Sequence, residues 1–185
     1  IVPYAPGGTS DILSRLLSPR LTEVFGQTVI VENRPGANGN IGADLVAKSA
    51  PDGHTMLLAD LGALSISPSV YKLPFDVVKD FAPVMLIGTA PQCIAAHAAS
   101  RYKNMADVIR AAKAKPDTVT YGSVGSGSLG HLMMTLVEQS GGFKLVHVPY
   151  KGGGPMTVEA MGGRIDLAVG TVALLTPFVK GGKLR

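Results

Sequence analysis

The chain has 185 residues, 46% of them hydrophobic and 16% charged, so it can build a sizeable core and is not a disordered segment. The net charge of +4 comes from scattered Lys and Arg, without a basic run or aromatic stacking platforms, which argues against nucleic acid as a partner. The one cysteine, Cys93, cannot form an internal disulfide, and its apolar neighbours read it as a small core residue.

Taken in order, the elements alternate between strand and helix. Ile1–Tyr4 reads as the end of a strand, and Ala5–Asp11 as a glycine turn. Ile12, Leu13, Leu16, Leu17, Leu21, Val24 and Phe25 recur at helical spacing until Gly26 closes the helix. Residues 28–32 are β-branched and extended, 33–36 a turn, 40–49 a helix, 51–53 a turn and 55–59 a strand. Four prolines, Pro68, Pro74, Pro83 and Pro91, interrupt the middle, where 84–88 and 92–97 read as strands. The rhythm restarts near Ser100, with a helix around 105–112, a strand 118–123, a turn 125–128 and a helix from Leu129. A strand 145–148, a turn 149–154, a helix 155–161, a strand 165–170 and a helix 173–179 follow. Such alternation predicts an α/β fold with largely parallel sheets. A seam at 97–103 divides it into lobe one, residues 1–98, and lobe two, residues 99–185.

Three turns have the composition of an anion site. In Pro6-Gly7-Gly8-Thr9-Ser10-Asp11, glycines permit close backbone approach, the following helix offers unpaired N–H groups, and Thr9 and Ser10 add hydroxyls. Asp11 suits two roles, capping the helix or orienting a water or a ligand amine. Ser123–Ser128 repeats the arrangement with three serines, Ser123, Ser126 and Ser128, and two glycines, Gly125 and Gly127. Tyr150-Lys151-Gly152 follows the next strand, so it belongs at the same sheet edge, where open α/β sheets bind ligands. The spacing Gly125-x-Gly127-x-x-Gly130 matches the dinucleotide pattern, but the next strand ends His147-Val148-Pro149-Tyr150 without the acid that would hold a ribose, and no cofactor is expected. No Gly-x-Ser-x-Gly elbow and no metal-ligand spacing occur. An enzyme built on Ser123 or Ser126 with His131 therefore stands second to a binding protein, and packing or capping suits His131 better than ligand contact.

The segments Val2–Asp11, Val31–Ala37, Asn40–Ala43, Ala50–Thr55, Lys79–Val84, Gly122–Leu132, His147–Gly152 and Gly181–Arg185, in this order, resemble the Bug family, the substrate-binding proteins of tripartite tricarboxylate transporters. The resemblance implies a two-lobed fold like type II periplasmic binding proteins, each lobe a mostly parallel sheet flanked by helices. It implies a periplasmic, monomeric, non-enzymatic receptor that closes on a small organic carboxylate (a di- or tricarboxylate, an amino acid or an aromatic acid) and hands it to membrane transporter subunits. A receptor that presents its closed form to a membrane sensor is the other role such a protein could serve. Carried over, the ligand loops are Tyr4 and Pro6–Asp11, the turn Asp60-Leu61-Gly62, Ser123 with Gly125–Ser128 and His131, Tyr150-Lys151-Gly152, and Thr171. Family members start before this first strand and run past Arg185, so the chain is expected to lack part of lobe one and a hinge crossing.

Overall fold

The computed structural model describes residues 1–185. Its one sheet lies in the second half of the chain, in the order β1-β4-β2-β3. Strands β2 (Thr120–Ser123), β3 (Val146–Pro149) and β4 (Leu167–Thr171) run parallel; β1 (Gln92–Ala96) pairs with β4 antiparallel. The sheet is thus mixed rather than wholly parallel. β1, which the sequence puts before the seam, belongs to this sheet through the register Gln92–Thr171 to Ala96–Leu167.

Period-two alternation of side chains gives the sheet two buried faces. Leu167 and Val169 of β4, Ala96 of β1 and Tyr121 of β2 face helices α4 (Met105–Ala114) and α5 (Leu129–Gly141), meeting Val108, Ala112 and Met134. Ala168 and Ala95 point the other way, onto Met156 and Ala160 of α6 (Gly153–Met161) and Leu174 and Leu175 of α7 (Val172–Lys180). Helix starts are capped as their residues suggest: the side chains of Asn104, Ser128 and Thr171 accept from the backbone N–H three residues on.

The first half has helices but hardly a sheet. α1 (Thr9–Phe25) ends in a left-handed Gly26, as its spacing predicts, and α2 (Asn40–Ala47) follows. A π-helical turn, Gly62–Ile66, runs into the short α3 (Ser67–Val70) directly after the turn Asp60-Leu61-Gly62 begins, a stretch the sequence left without an assigned helix. The three segments read as strands here do lie side by side. Val2 N–H donates to Glu32 O at 2.8 Å, Arg34 N–H to Val2 O at 2.8 Å and Leu58 N–H to Ile1 O at 3.0 Å. Pairing with 32–34 stops after the single parallel bridge Val2–Asn33, where the chain turns; on the other side, next to Leu58, Pro3 has no N–H to donate. Residues 84–88, also read as a strand, have no strand partner and lie exposed between Pro83 and Pro91. No helix is long and apolar enough to cross a membrane.

Candidate ligand site at the junction of the two halves

β2 and β3 are parallel neighbours, so Ser123 and Pro149 stand in register at one sheet edge. The turns leaving that edge, 123–128 and 149–152, face the first half across a cavity of about 270 Å³. The second half lines it with Val124, Gly125, Ser126, Pro149, Tyr150 and Lys151; the first half contributes Tyr4, the turn Gly36–Gly39 and Tyr71. Lys151 is the one charged residue of the lining. The volume sits just under the ~300–1,000 Å³ of sites for drug-sized ligands and suits a small metabolite.

Two contacts join the halves beside the cavity. On one side the turn Pro6–Gly8 packs directly on Gly152–Gly154, and Ala5 N–H donates to Lys151 O at 2.8 Å. The approach is so close that a Cβ on Gly154 would stand 2.2 Å from Pro6 O and one on Gly152 2.8 Å from Ala5 N. On the other side the Tyr71 hydroxyl donates to Ser126 O at 2.7 Å, with its ring over Gly127.

The residues proposed from the sequence divide accordingly. Tyr4, Gly125, Ser126, Tyr150 and Lys151 line the cavity. Pro6, Gly7, Gly8 and Gly152 form the packed junction rather than an open cradle, and the Thr9 and Thr171 hydroxyls share a 2.6 Å hydrogen bond next to it. Ser10 is half-buried on the first turn of α1, away from the lining. Of the two roles open to Asp11, its surroundings select the local one. Its carboxylate is buried and accepts from Gly7 N–H at 2.9 Å, Asn33 Nδ2 at 2.9 Å and Arg15 Nε at 3.1 Å. Burial pushes this carboxyl up, but those hydrogen bonds outweigh it and hold it below the ordinary carboxylate range. Asp60 accepts from the Tyr4 hydroxyl at 2.6 Å and from Gly62 N–H at 2.9 Å, while Leu61 points to solvent. Burial, the Asp60 charge and that hydrogen bond together raise Tyr4 well above the usual phenol value, so its proton stays on and committed to Asp60.

Ser123, Ser128 and His131 build the turn from behind. Ser123 Oγ is fully buried, accepts from Gly125 N–H at 3.2 Å and shares a 2.7 Å hydrogen bond with His147 Nε2. Ser128 caps α5, and His131 Nδ1 accepts from Gly127 N–H at 3.1 Å. The His131 and His147 rings stack with centroids 4.1 Å apart. Desolvation, then the neighbouring His131, bring His147 down to about 4, and desolvation also lowers His131. Ser123 thus pairs with His147 rather than His131, inside the wall of the cavity and not on its surface.

Sequence reasoning passed over Gly36–Gly39 and Tyr71. All four residues of that turn have positive φ, including Ala37 (47°) and Asn38 (55°), a conformation costing about 1–2 kcal/mol for each residue that has a Cβ. Backbone held in that region clusters at binding sites. A signal was present in Gly36-Ala37-Asn38-Gly39, where two glycines bracket an Asn just before a helix. Tyr71 carried none, because only the tertiary fold brings it to Ser126.

With this geometry in place, known proteins can be compared. Residues 13–185 match the family described as the tripartite tricarboxylate transporter family receptor. The chain belongs to that family. The TctC receptor family is one of binding proteins and not of enzymes, in agreement with the weaker standing of the serine–histidine reading. The protein BugT of Bordetella pertussis is 35% identical over the whole chain, which covers 57% of BugT. Among solved structures, a periplasmic transporter shares 36% identity at a TM-score of 0.93, the chain covering 62% of it. A Rhodopseudomonas palustris protein with adipate shares 34% at 0.93, with 62% of it covered. MatC from the same species, with bound malate, shares 28% at 0.92, with 63% of it covered. The whole of this chain is covered in each of the three. The α/β fold with helices on both sheet faces is therefore that of periplasmic binding proteins. The chain spans about half the length of the curated relatives it matches.

Proposed function

We propose that the protein is an extracytoplasmic receptor for a small organic carboxylate, which it captures between two lobes and delivers to the membrane subunits of a tripartite transporter. The observation that carries this reading is the cavity of about 270 Å³ between the two halves, with Lys151 and the Gly125–Ser126 backbone on one wall. A carboxylate there meets an ammonium and a serine-rich turn ahead of α5, a setting that favours an anion. The solved relatives with adipate and with malate support the ligand class. The lobes meet at Gly152–Gly154 and Tyr71–Ser126, contacts suited to a hinge that closes on ligand and opens without it. Since β1 hydrogen-bonds to β4, we set the lobe boundary near Pro91 rather than at residue 98. The periplasm is the compartment in this reading, as in the relatives, and the receptor works as a monomer.

A thermal-shift panel of di- and tricarboxylates, amino acids and aromatic acids tests it. A true ligand at a hundred times its Kd contributes about 2.7 kcal/mol, a Tm rise of about 5–10 °C for a chain of this size. Lys151→Ala should weaken that ligand roughly tenfold by calorimetry. No stabilisation by any acid, or turnover of the bound acid followed by NMR, would overturn the receptor reading.

A further inference from the structure

Charge is divided unevenly along the chain. Residues 92–185 hold 11 Lys and Arg against 5 Asp and Glu, whereas residues 1–91 hold 6 against 8. Pairing is uneven as well. In the first half only Lys72 lacks an ion pair; in the second half only Arg110, Lys144 and Arg164 have one. The positive charge of the protein therefore sits on unpaired cations of the second half.

Four of these cations gather at one edge of the sheet. The segment Lys183–Arg185 lies antiparallel along β1. Ala96 N–H donates to Arg185 O at 3.0 Å, Arg185 N–H to Ala96 O at 2.9 Å and Ala98 N–H to Lys183 O at 3.0 Å. His97 stands opposite Leu184, which is buried on the α7 side of the sheet. Alternation turns Lys183 and Arg185 to the other side, the side of Ala96 and α4. The link into α4 brings Arg101 and Lys103 to the same side, and all four residues are exposed. The patch is remote from the cavity. β1 runs against β4, so Ala96 stands beside Leu167, where β4 begins, while the turns that line the cavity leave from the other ends of β2 and β3.

The two arginines are held in place without an acid. The Arg101 guanidinium lies 4.8 Å from the centre of the Tyr102 ring and donates to the Tyr102 hydroxyl at 2.6 Å, and Tyr102 itself is buried. Arg185 Nη2 donates to Ser100 O at 3.1 Å. The acid at the start of α4, Asp107, is already engaged: it accepts from Lys103 N–H at 2.9 Å and from Arg110 Nη2 at 3.2 Å. Guanidinium forks fixed in advance lose little freedom on gaining a partner, and their planar geometry matches a carboxylate. No large apolar side chain is exposed on the link or on Lys183–Arg185, so the patch has nothing to insert into a lipid surface.

We propose that the edge carrying Arg101, Lys103, Lys183 and Arg185 is a docking surface for an acidic protein segment, a carboxylate-bearing loop of the membrane partner that takes over the ligand. The identity of that partner rests on the receptor reading above; the surface and its preference for carboxylates rest on the edge itself.

A labelled peptide of about a dozen residues, rich in Asp and Glu, serves as the probe on the full chain, followed by fluorescence anisotropy. Binding should weaken about tenfold between low and physiological salt. Arg101→Gln with Arg185→Gln should weaken it about tenfold at low salt, and Arg101→Lys, which keeps the charge but loses the fork, should weaken it about threefold. Lys113→Gln with Lys115→Gln removes the same net charge from two exposed cations that also lack an ion pair, and should leave affinity within about twofold. All these variants should keep the wild-type thermal midpoint and the wild-type affinity for the small carboxylate. Equal weakening by the two double variants would reduce the effect to net charge and overturn the proposal, as would no binding of the peptide at all. Binding to phosphatidylglycerol vesicles that is lost in the Arg101, Arg185 variant, with the peptide left unbound, would assign the edge to a membrane and also overturn it. In each of these cases the panel of small acids still reports separately on the receptor reading. Failure of that panel with peptide binding intact would remove the ligand-accepting partner, and the proposal in that form with it.

Discussion

Helices α1 and α5 are written alike: apolar residues at helical spacing, then a left-handed glycine, Gly26 or Gly142. They end in different surroundings. On α5, Met134 is completely buried against the sheet; on α1, Leu16 is 68% exposed, and Ile12, Val24 and Phe25 also face solvent. The contrast extends to the two halves. Of the 18 large hydrophobic side chains that are exposed, 14 precede Pro91, while only 5 of the 24 buried hydrophobic residues do. The second half encloses a four-stranded sheet between two helix layers and is a complete core. The first half contributes mainly one wall of a cavity. An amphipathic stripe reports that a face is suited to being covered, not that it is covered, and a run of exposed apolar residues is itself the mark of a contact surface.

The sharpest test of this contrast is a pair of truncations. Leu175→Ala, at a fully buried site on α7, should cost about 2–5 kcal/mol, whereas Leu16→Ala should stay within about 0.5 kcal/mol in urea unfolding. Comparable losses at the two sites would mean that α1 is packed as well as α7. Next in size is the junction. Gly154→Ala drives a methyl into Pro6 O and should cost about 1–3 kcal/mol, with ligand affinity falling as the halves separate. Retained stability and affinity would show that the halves do not depend on this approach.

Tyr71→Phe removes one hydrogen bond between the halves and leaves the sheet untouched. Ligand affinity should fall about fivefold, near 1 kcal/mol, while the ligand-free midpoint stays put. A shift of the ligand-free midpoint without any change in affinity would make Tyr71 part of the core and not of the closure.

The smallest effect is a pH slope from His147. Its folded value, about 4, lies below the ordinary 6.5, so between these the unfolded chain takes up a proton that the native chain refuses. Stability from this group is therefore present above 6.5 and declines as pH falls through that window, with His131 adding in the same direction. His147→Gln should flatten the slope of Tm against pH between 6.5 and 4. An unchanged slope would remove the stacked pair as its source.

Much of the second half was legible because its signals are local. Serine and threonine caps, glycine stops and alternating strands place 105–180 to within two or three residues, and the strand order puts both turns at one edge. Tyr4, Gly125, Ser126, Tyr150 and Lys151 could be named because chemistry and strand ends coincide there. Asp11 could not be judged alone, since its role depends on Asn33, 22 residues away, and on Gly7 and Arg15. The run 84–88 has strand composition but no neighbouring backbone to pair with, and composition cannot supply one.

The amino-acid sequence by itself determined the alternation of strands and helices, the glycine turns and the family, because these depend on neighbours within a few residues and on motif order. The tertiary structure alone decided that Pro6–Gly8 is a packed junction and not a cradle, that Asn38 and Tyr71 face the serine turn, and which apolar faces find a partner. The reason is physical: packing and closure are relations between atoms far apart in the chain, and a local pattern carries the demand for a partner without naming it.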